Sequence, residues 1–152
     1  MPSSWTLKLL SEVRADLVKD YLIRQGMRPE IIDWKYFDIP FNRNRERGCV
    51  LVRDDVVQGF LGLIPFNIAC NGRVVEAAWC CDWSRDLAQS TGGMGIMLVK
   101  QAQRLYPFLF GIEGSDMTKQ IFPRLATHTI PHAAIRMQLP LRLGAYVERI
   151  SR

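Results

Sequence analysis

The sequence predicts an α+β domain: a mixed, mostly antiparallel central sheet with helices on both faces. Three observations carry that expectation. A short alternating segment near the N-terminus runs into an amphipathic helical stripe. A long region rich in Val, Ile, Phe and Trp, broken by two turn signals, reads as an antiparallel meander. A glycine-led helix followed by an apolar run then completes a βαβ unit, whose second strand lies parallel to the first through a right-handed crossover.

Taken in order, "WTLKLL" (5–10) alternates as a strand. Ser11 is the expected N-cap of a helix running to Gln25, with Val13, Leu17, Tyr21 and Leu22 on one stripe and Gly26 as the stop. "RPEIIDWKYFD" (28–38) opens on a proline suited to a first helical turn and predicts a short second helix, ended by Pro40. From Cys49 the period changes to that of strands. Asp54-Asp55 and Asn71-Gly72 are the turns, the second being the strongest hairpin signal in the chain. The next helix starts at the glycine cluster and runs to about Tyr106, with Ile96, Val99, Ala102, Gln103 and Tyr106 available to pack and Pro107 as its stop. "FLFGI" (108–112) reads as a fully buried strand, "SDMTKQIFPRLA" as a final helix and "AAIRMQLPLRL" as a last strand limited by Pro140 to an edge.

The 152 residues are one domain's worth, so a single domain over 1–152 is expected. The stop soon after the last strand leaves an excised part of something longer as a second reading. At 48% hydrophobic and 23% charged residues the composition is that of a globular protein, which excludes disorder and fibres. Lys+Arg number 20 against 15 Asp+Glu, a net charge of +5 that suits nucleic acid, acidic lipid or a phosphorylated cofactor without choosing among them. The densest basic run, "NRNRERG" (42–48), contains Glu46 and lacks interleaved aromatics, so it reads as a solvated loop and nucleic acid is disfavoured.

Cys49, Cys70, Cys80 and Cys81 lack metal-ligand spacing, and Cys80 and Cys81 point to opposite faces of a strand; reduced core thiols are expected, with no metal site. His128 and His132 have no acidic ligand set beside them. No apolar run approaches membrane-spanning length and the N-terminus lacks a cleavable hydrophobic segment, so a cytoplasmic location is expected.

"QSTGGMGIMLVKQAQRLYP" (89–107) places Gly92, Gly93 and Gly95 where a helix begins. Glycine costs about 1 kcal/mol against alanine inside a helix, so a cluster there implies close approach to the backbone. A helix N-terminus carries unpaired N–H groups and partial positive charge, which suits a phosphate or pyrophosphate; a ligand-free strand-to-helix connection is the other reading. G-x-x-x-x-G-K-S/T is absent, and G-x-G-x-x-G fails at Leu98.

The order of elements and the residues together resemble the GNAT superfamily of acyl-CoA-dependent N-acyltransferases. Its pyrophosphate motif, Q/R-x-x-G-x-G/A before a helix, is similar to "STGGMG" (90–95), with Gly93 and Gly95 at the small-residue positions and Ser90 where Gln or Arg is usual. The family's later motif, N-x-x-A-x-x-x-Y-x-K/R-x-G-F, is similar to "SDMTKQIFPRLAT" (115–127): Ser115, Thr118, Phe122, Arg124, Leu125 and Ala126 fall in register. Phe122 stands at the tyrosine that commonly protonates the departing thiolate. It can pack against pantetheine but donates no proton.

The resemblance implies acetyl-CoA or another acyl-CoA as co-substrate, held by Ser90, Thr91, Gly92, Gly93, Met94 and Gly95, with Ser115 and Phe122 beside it. Backbone N–H groups from Trp83 to Arg85 would polarise the thioester carbonyl. The acceptor is a small-molecule or peptide amine, attacking directly. Asp82, Glu76 and Glu113 are the candidate bases for the incoming ammonium, Asp82 foremost. Each has a plainer alternative: a loop-anchoring bond for Asp82, an exposed strand position for Glu76, a helix-start partner for Glu113. Trp34, Tyr36 and Phe37 either wall the acceptor pocket or pack the core. Expected partners are the amine acceptor and, as an open reading, a second copy in a homodimer. Two other functions remain in view, a non-catalytic acyl-CoA-binding or partner-binding module and a fragment related to aminoacyltransferases that use charged tRNA.

Overall fold

The computed structural model describes residues 5–38, 44–86 and 93–111, and beyond them Thr118, Ile121, Arg124 and Leu125. The chain divides into two compact units, Met1–Gly111 and Ile112–Arg152. In the second, the four described residues are helical and fall inside the expected final helix. Glu113, Ser115, Phe122, His128, His132 and the expected last strand lie outside the described residues, as do Pro40, Ser90, Thr91 and Gly92.

The first unit is a five-stranded sheet flanked by helices. Its strands are β1 (Trp5–Leu9), β2 (Gly48–Arg53), β3 (Val56–Cys70), β4 (Arg73–Arg85) and β5 (Phe108–Phe110), side by side in that order. β1 to β4 pair antiparallel and β5 joins β4 in parallel, which makes the expected meander and βαβ unit. Both meander turns use positive φ at both central residues: 49° and 60° at Asp54 and Asp55, 49° and 73° at Asn71 and Gly72. Such turns match the right-handed twist of the strands they join, which explains why so few residues suffice.

α1 (Ala15–Arg24) buries Val18, Tyr21 and Leu22. It ends in a Schellman motif, with Met27 N–H donating to Leu22 O at 3.0 Å and Gly26 N–H to Ile23 O at 2.9 Å, at the glycine whose φ is 88°. Its start differs from expectation. Ser11 lies in a 3₁₀ turn, Leu10–Glu12, and the α-helix begins three residues later. The Glu12 carboxylate takes the Leu9 N–H at 2.8 Å, and the Ser11 hydroxyl donates to Glu46 at 2.6 Å, so serine anchors the β2 entrance and caps no helix.

α2 (Pro29–Ile32) continues as a π-helical turn, Asp33–Phe37, closed by Asp38 N–H donating to Asp33 O at 2.7 Å. α3 (Met94–Leu105) spans the predicted length, burying Met94, Leu98, Val99 and Ala102. Gln103, expected to pack, is exposed, and Leu98 is buried instead.

The helices cover opposite faces of the sheet. On one, α1 and the α2 region pack Val18, Tyr21, Leu22, Ile32 and Tyr36 against Val50, Val52, Val57 and Phe60. On the other, Leu98 of α3 meets Leu51 at Gly59. Two expectations of burial are corrected. Arg47, read as part of a solvated loop, is 6% exposed, because its guanidinium turns inward to donate to Lys35 O at 3.4 Å. β5, read as fully buried, leaves Phe108 and Phe110 44% and 38% exposed, because it forms the outer edge of the described sheet.

Candidate functional site

Two strand irregularities set the geometry, and the bulge in β4 is the decisive one. Cys81 pairs with Gly62 and Ser84 with Phe60, so Asp82 and Trp83 together oppose Leu61 alone. Asp82 is the extra residue, at φ 50°. Its insertion redirects the side chains that follow. Cys81 and Asp82 both reach the α1 and α2 side, Trp83 turns to α3, and Ser84 returns to accept a 3.3 Å hydrogen bond from the Tyr21 hydroxyl.

Trp83 thereby explains one of the glycines. A Cβ on Gly95 would stand 3.0 Å from Trp83 Cζ2, so a side chain there would push the indole off the first turn of α3. Gly93 has a different reason. It is the N-cap at φ 94°, and a Cβ there would meet nothing within 4 Å, so backbone conformation alone favours glycine. Ile96 N–H bonds back to Gly93 O at 3.0 Å, while the amides of Met94 and Gly95, ahead of it in the first turn, have no acceptor within their own helix.

β4 also outruns its outer neighbour. Pairing with β5 ends at Trp79 and Phe110, whereas β4 continues to Arg85. Asp86 N–H donates to Gln58 O at 2.8 Å. Strand amides alternate between edges, so the Arg85 N–H faces the side that β5 has left.

On the α2 side of the bulge lies a compact polar cluster. Asp82 Oδ2 is 2.7 Å from Lys35 Nζ and accepts a short hydrogen bond from the Tyr36 hydroxyl, which also contacts Cys81 Sγ at 3.4 Å. The Lys35 and Asp82 side chains are 20% and 22% exposed, so the pair is sheltered without being sealed. Lys35 and Tyr36, consecutive in the π turn, both reach this carboxylate. Tyr36 packs edge-on against Phe60 at 5.0 Å and fills the space above Gly62, where a Cβ would lie 2.7 Å from its Cζ. Burial, with the neighbouring Cys81 and Asp82, pushes the Tyr36 hydroxyl far above its ordinary range, so it remains a donor.

The thiols are poor nucleophiles. Burial pushes Cys81 up to about 11 and both Cys49 and Cys80 up to about 12. All three are free.

The other predicted residues fall as follows. Glu76 is exposed on β4, six residues before the bulge, where it pairs with Asn67 of β3 and its side chain ion-pairs with Arg45 at 3.1 Å. Met94 is buried as the first residue of α3. Tyr36 and Phe37 border an open groove of about 730 Å³, shared with Leu10, Ser11, Arg45 and Glu46. Trp34 is 65% exposed and does not line it. Lys35 and Gly62 were missed from the sequence. Two glycines inside one β3 run, "QGFLGL", were the available signal, since strand glycines mark close approach of another group.

No family model matches the sequence, and no curated protein matches it. Solved structures match the fold. The aminoglycoside N-acetyltransferase AAC(6')-Iy in complex with CoA gives a TM-score of 0.65 at 9% identity, over 91% of this chain and 97% of that one. Glucosamine-6-phosphate N-acetyltransferase from Arabidopsis thaliana gives 0.63 at 11%, over 91% and 99%. Ribosomal-protein-alanine N-acetyltransferase from Brucella melitensis biovar Abortus 2308 gives 0.61 at 11%, over 90% and 99%. The chain therefore has the GNAT fold, a mixed α+β architecture shared with these N-acetyltransferases. Among the described residues no helix is long and apolar enough to cross a membrane.

Proposed function

We propose that this protein is an acyl-CoA-dependent N-acyltransferase, transferring acetyl or a related acyl group from its CoA thioester to a small-molecule or peptide amine. The observation that carries the reading is the placement of the α3 head. Through the contact of Gly95 with Trp83 it lies against the part of β4 that β5 does not accompany. A diphosphate at the Met94 and Gly95 amides would lead its pantetheine arm along that edge, toward the Arg85 N–H and the Asp82 bulge. On motif grounds Ser90, Thr91 and Gly92 belong to the cofactor-binding set, as do Ser115 and Phe122.

The chemistry balances without an enzyme nucleophile. The acceptor ammonium loses one proton to a carboxylate, for which Asp82 is favoured over Glu76 and Glu113. The free amine attacks the thioester carbonyl carbon, strand amides stabilise the oxyanion, the C–S bond breaks, and a second nitrogen proton leaves with the thiol, giving the amide. The groove beside Tyr36 and Phe37 supports an acceptor approach from the α2 side.

One observation favours the second reading, a binding module without turnover: Asp82 is already engaged by Lys35 and Tyr36. Calorimetric titration with acetyl-CoA, desulfo-CoA and adenosine tests the shared part. Binding of the first two that disappears in Gly93→Glu is expected; absence of CoA binding in the parent protein removes both readings. Thiol release across an amine panel then separates enzyme from binder.

A further inference from the structure

The base candidate at the bulge already touches an amine, and that amine belongs to the protein. Lys35 Nζ lies 2.7 Å from Asp82 Oδ2, held there from three directions. The π turn aims it, with Arg47 donating to the Lys35 carbonyl oxygen from a buried position. Tyr36, the next residue, anchors the turn to the same carboxylate and against Gly62. Asp82 in turn precedes, in the chain, the Trp83 to Arg85 amides assigned to the thioester carbonyl. Ammonium and carboxylate thus meet at the strand bulge, and the amides proposed to polarise the thioester follow it directly in the chain.

We infer that Lys35 is an internal acyl acceptor, modified by the protein's own bound acyl-CoA when no external amine occupies the site. This rests on the acyltransferase reading above. The Lys35 ammonium gives one proton to Asp82, and the freed nitrogen forms a bond to the thioester carbonyl carbon. The C–S bond breaks, the second nitrogen proton departs with the thiol, and Asp82 returns its proton to water. The product is a neutral Nε-acyl-lysine. Its formation abolishes the ion pair with Asp82, leaving Tyr36 as the carboxylate's donor.

Burial makes the inference separable from background chemistry. Uncatalysed acylation by acetyl-CoA follows exposure and the availability of the free amine, so a sheltered, ion-paired lysine is a poor target for it. Lys100 is exposed and Lys8 is half-buried, which makes them references for exposure, while half-buried Lys19, paired with Asp33 at 2.5 Å, is the reference for an ion-paired lysine away from the bulge.

The test is incubation of the full chain with acetyl-CoA alone, followed by peptide mass spectrometry over time. Acetyl should accumulate at Lys35 ahead of Lys8, Lys19 and Lys100, at a rate per molecule unchanged by dilution of the protein. Asp82→Asn should slow it by about 100-fold, the effect of losing a positioned base. Lys35→Arg should leave only slow labelling at the reference lysines. Lys100 labelled first, or Lys35 unlabelled in protein whose CoA binding is verified by titration, overturns the inference and leaves the acyltransferase reading standing. Loss of CoA binding in the parent protein removes both. Because the parent protein alone gives the deciding pattern, poor folding of a variant does not blunt the test.

Discussion

At Gly62 a single missing carbon determines where Tyr36 sits. Any side chain there collides with the phenol ring, so Gly62→Ala should displace Tyr36 and break its bond to Asp82. Overpacking of this kind typically costs about 1–3 kcal/mol, which a urea midpoint would register. Tyr36→Phe removes the same hydrogen bond by another route. The two changes should therefore be less than additive, with a coupling of about 0.5–3 kcal/mol in a double-mutant cycle. The thiols supply a pH prediction. Cys49, Cys80 and Cys81 ordinarily titrate near 9.0 and are pushed up to about 12, 12 and 11. Above pH 9 the unfolded chain loses thiol protons that the native chain keeps, so stability present below that pH declines toward pH 12. Urea midpoints at pH 7 and pH 10 should differ accordingly, and Ellman's reagent should react slowly with Cys49, Cys80 and Cys81 of the native protein. The core thiols were legible in the sequence, and the cluster around Tyr36 was not. Asp82 stood out as a carboxylate near the glycine motif, but Lys35 and Tyr36 reach it only through a turn whose five-residue hydrogen bond leaves no trace in apolar spacing.

Elements were more legible than contacts, because their signals are local. Asn71-Gly72 demanded its turn through backbone sterics, and Gly26 marked a helix end for the same reason. Ser11 misled, since a good capping residue caps only when nothing competes, and Glu46 lay 35 residues away. The α3 head was found as a glycine cluster, yet its members differ in purpose and should respond differently. Gly93→Ala imposes a left-handed conformation on a residue with a side chain and should cost about 1–2 kcal/mol while leaving the Trp83 contact in place. Gly95→Ala should instead disturb the indole, read as a change in near-ultraviolet circular dichroism that Gly93→Ala lacks. If the two variants gave the same spectral change, the division of roles would be wrong.

For the whole molecule, element order proved a better guide than residue identity. A match at TM-score 0.65 with 9% identity means that alternation, turn chemistry and capping specify this architecture through many different side chains. A ligand that binds only the native state raises its stability by about 2.7 kcal/mol at a concentration of 100 times its dissociation constant. Thermal melts should accordingly rise with acetyl-CoA and stay fixed with an equal concentration of adenosine; a flat response to both would count against the diphosphate cradle. The extra residue in β4 has one more consequence. Before it, odd-numbered positions such as Cys81 look toward α1 and α2; after it, even-numbered Ser84 does. Removing the Asp82 codon would pair Trp83 with Leu61 and restore uniform alternation, leaving Trp83 toward Gly95 and Ser84 toward Tyr21 while deleting the carboxylate itself. A shortened variant of this kind would have a more regular sheet and no carboxylate for Lys35 and Tyr36 to hold, so its Tyr36 ring would lose its polar anchor at the bulge.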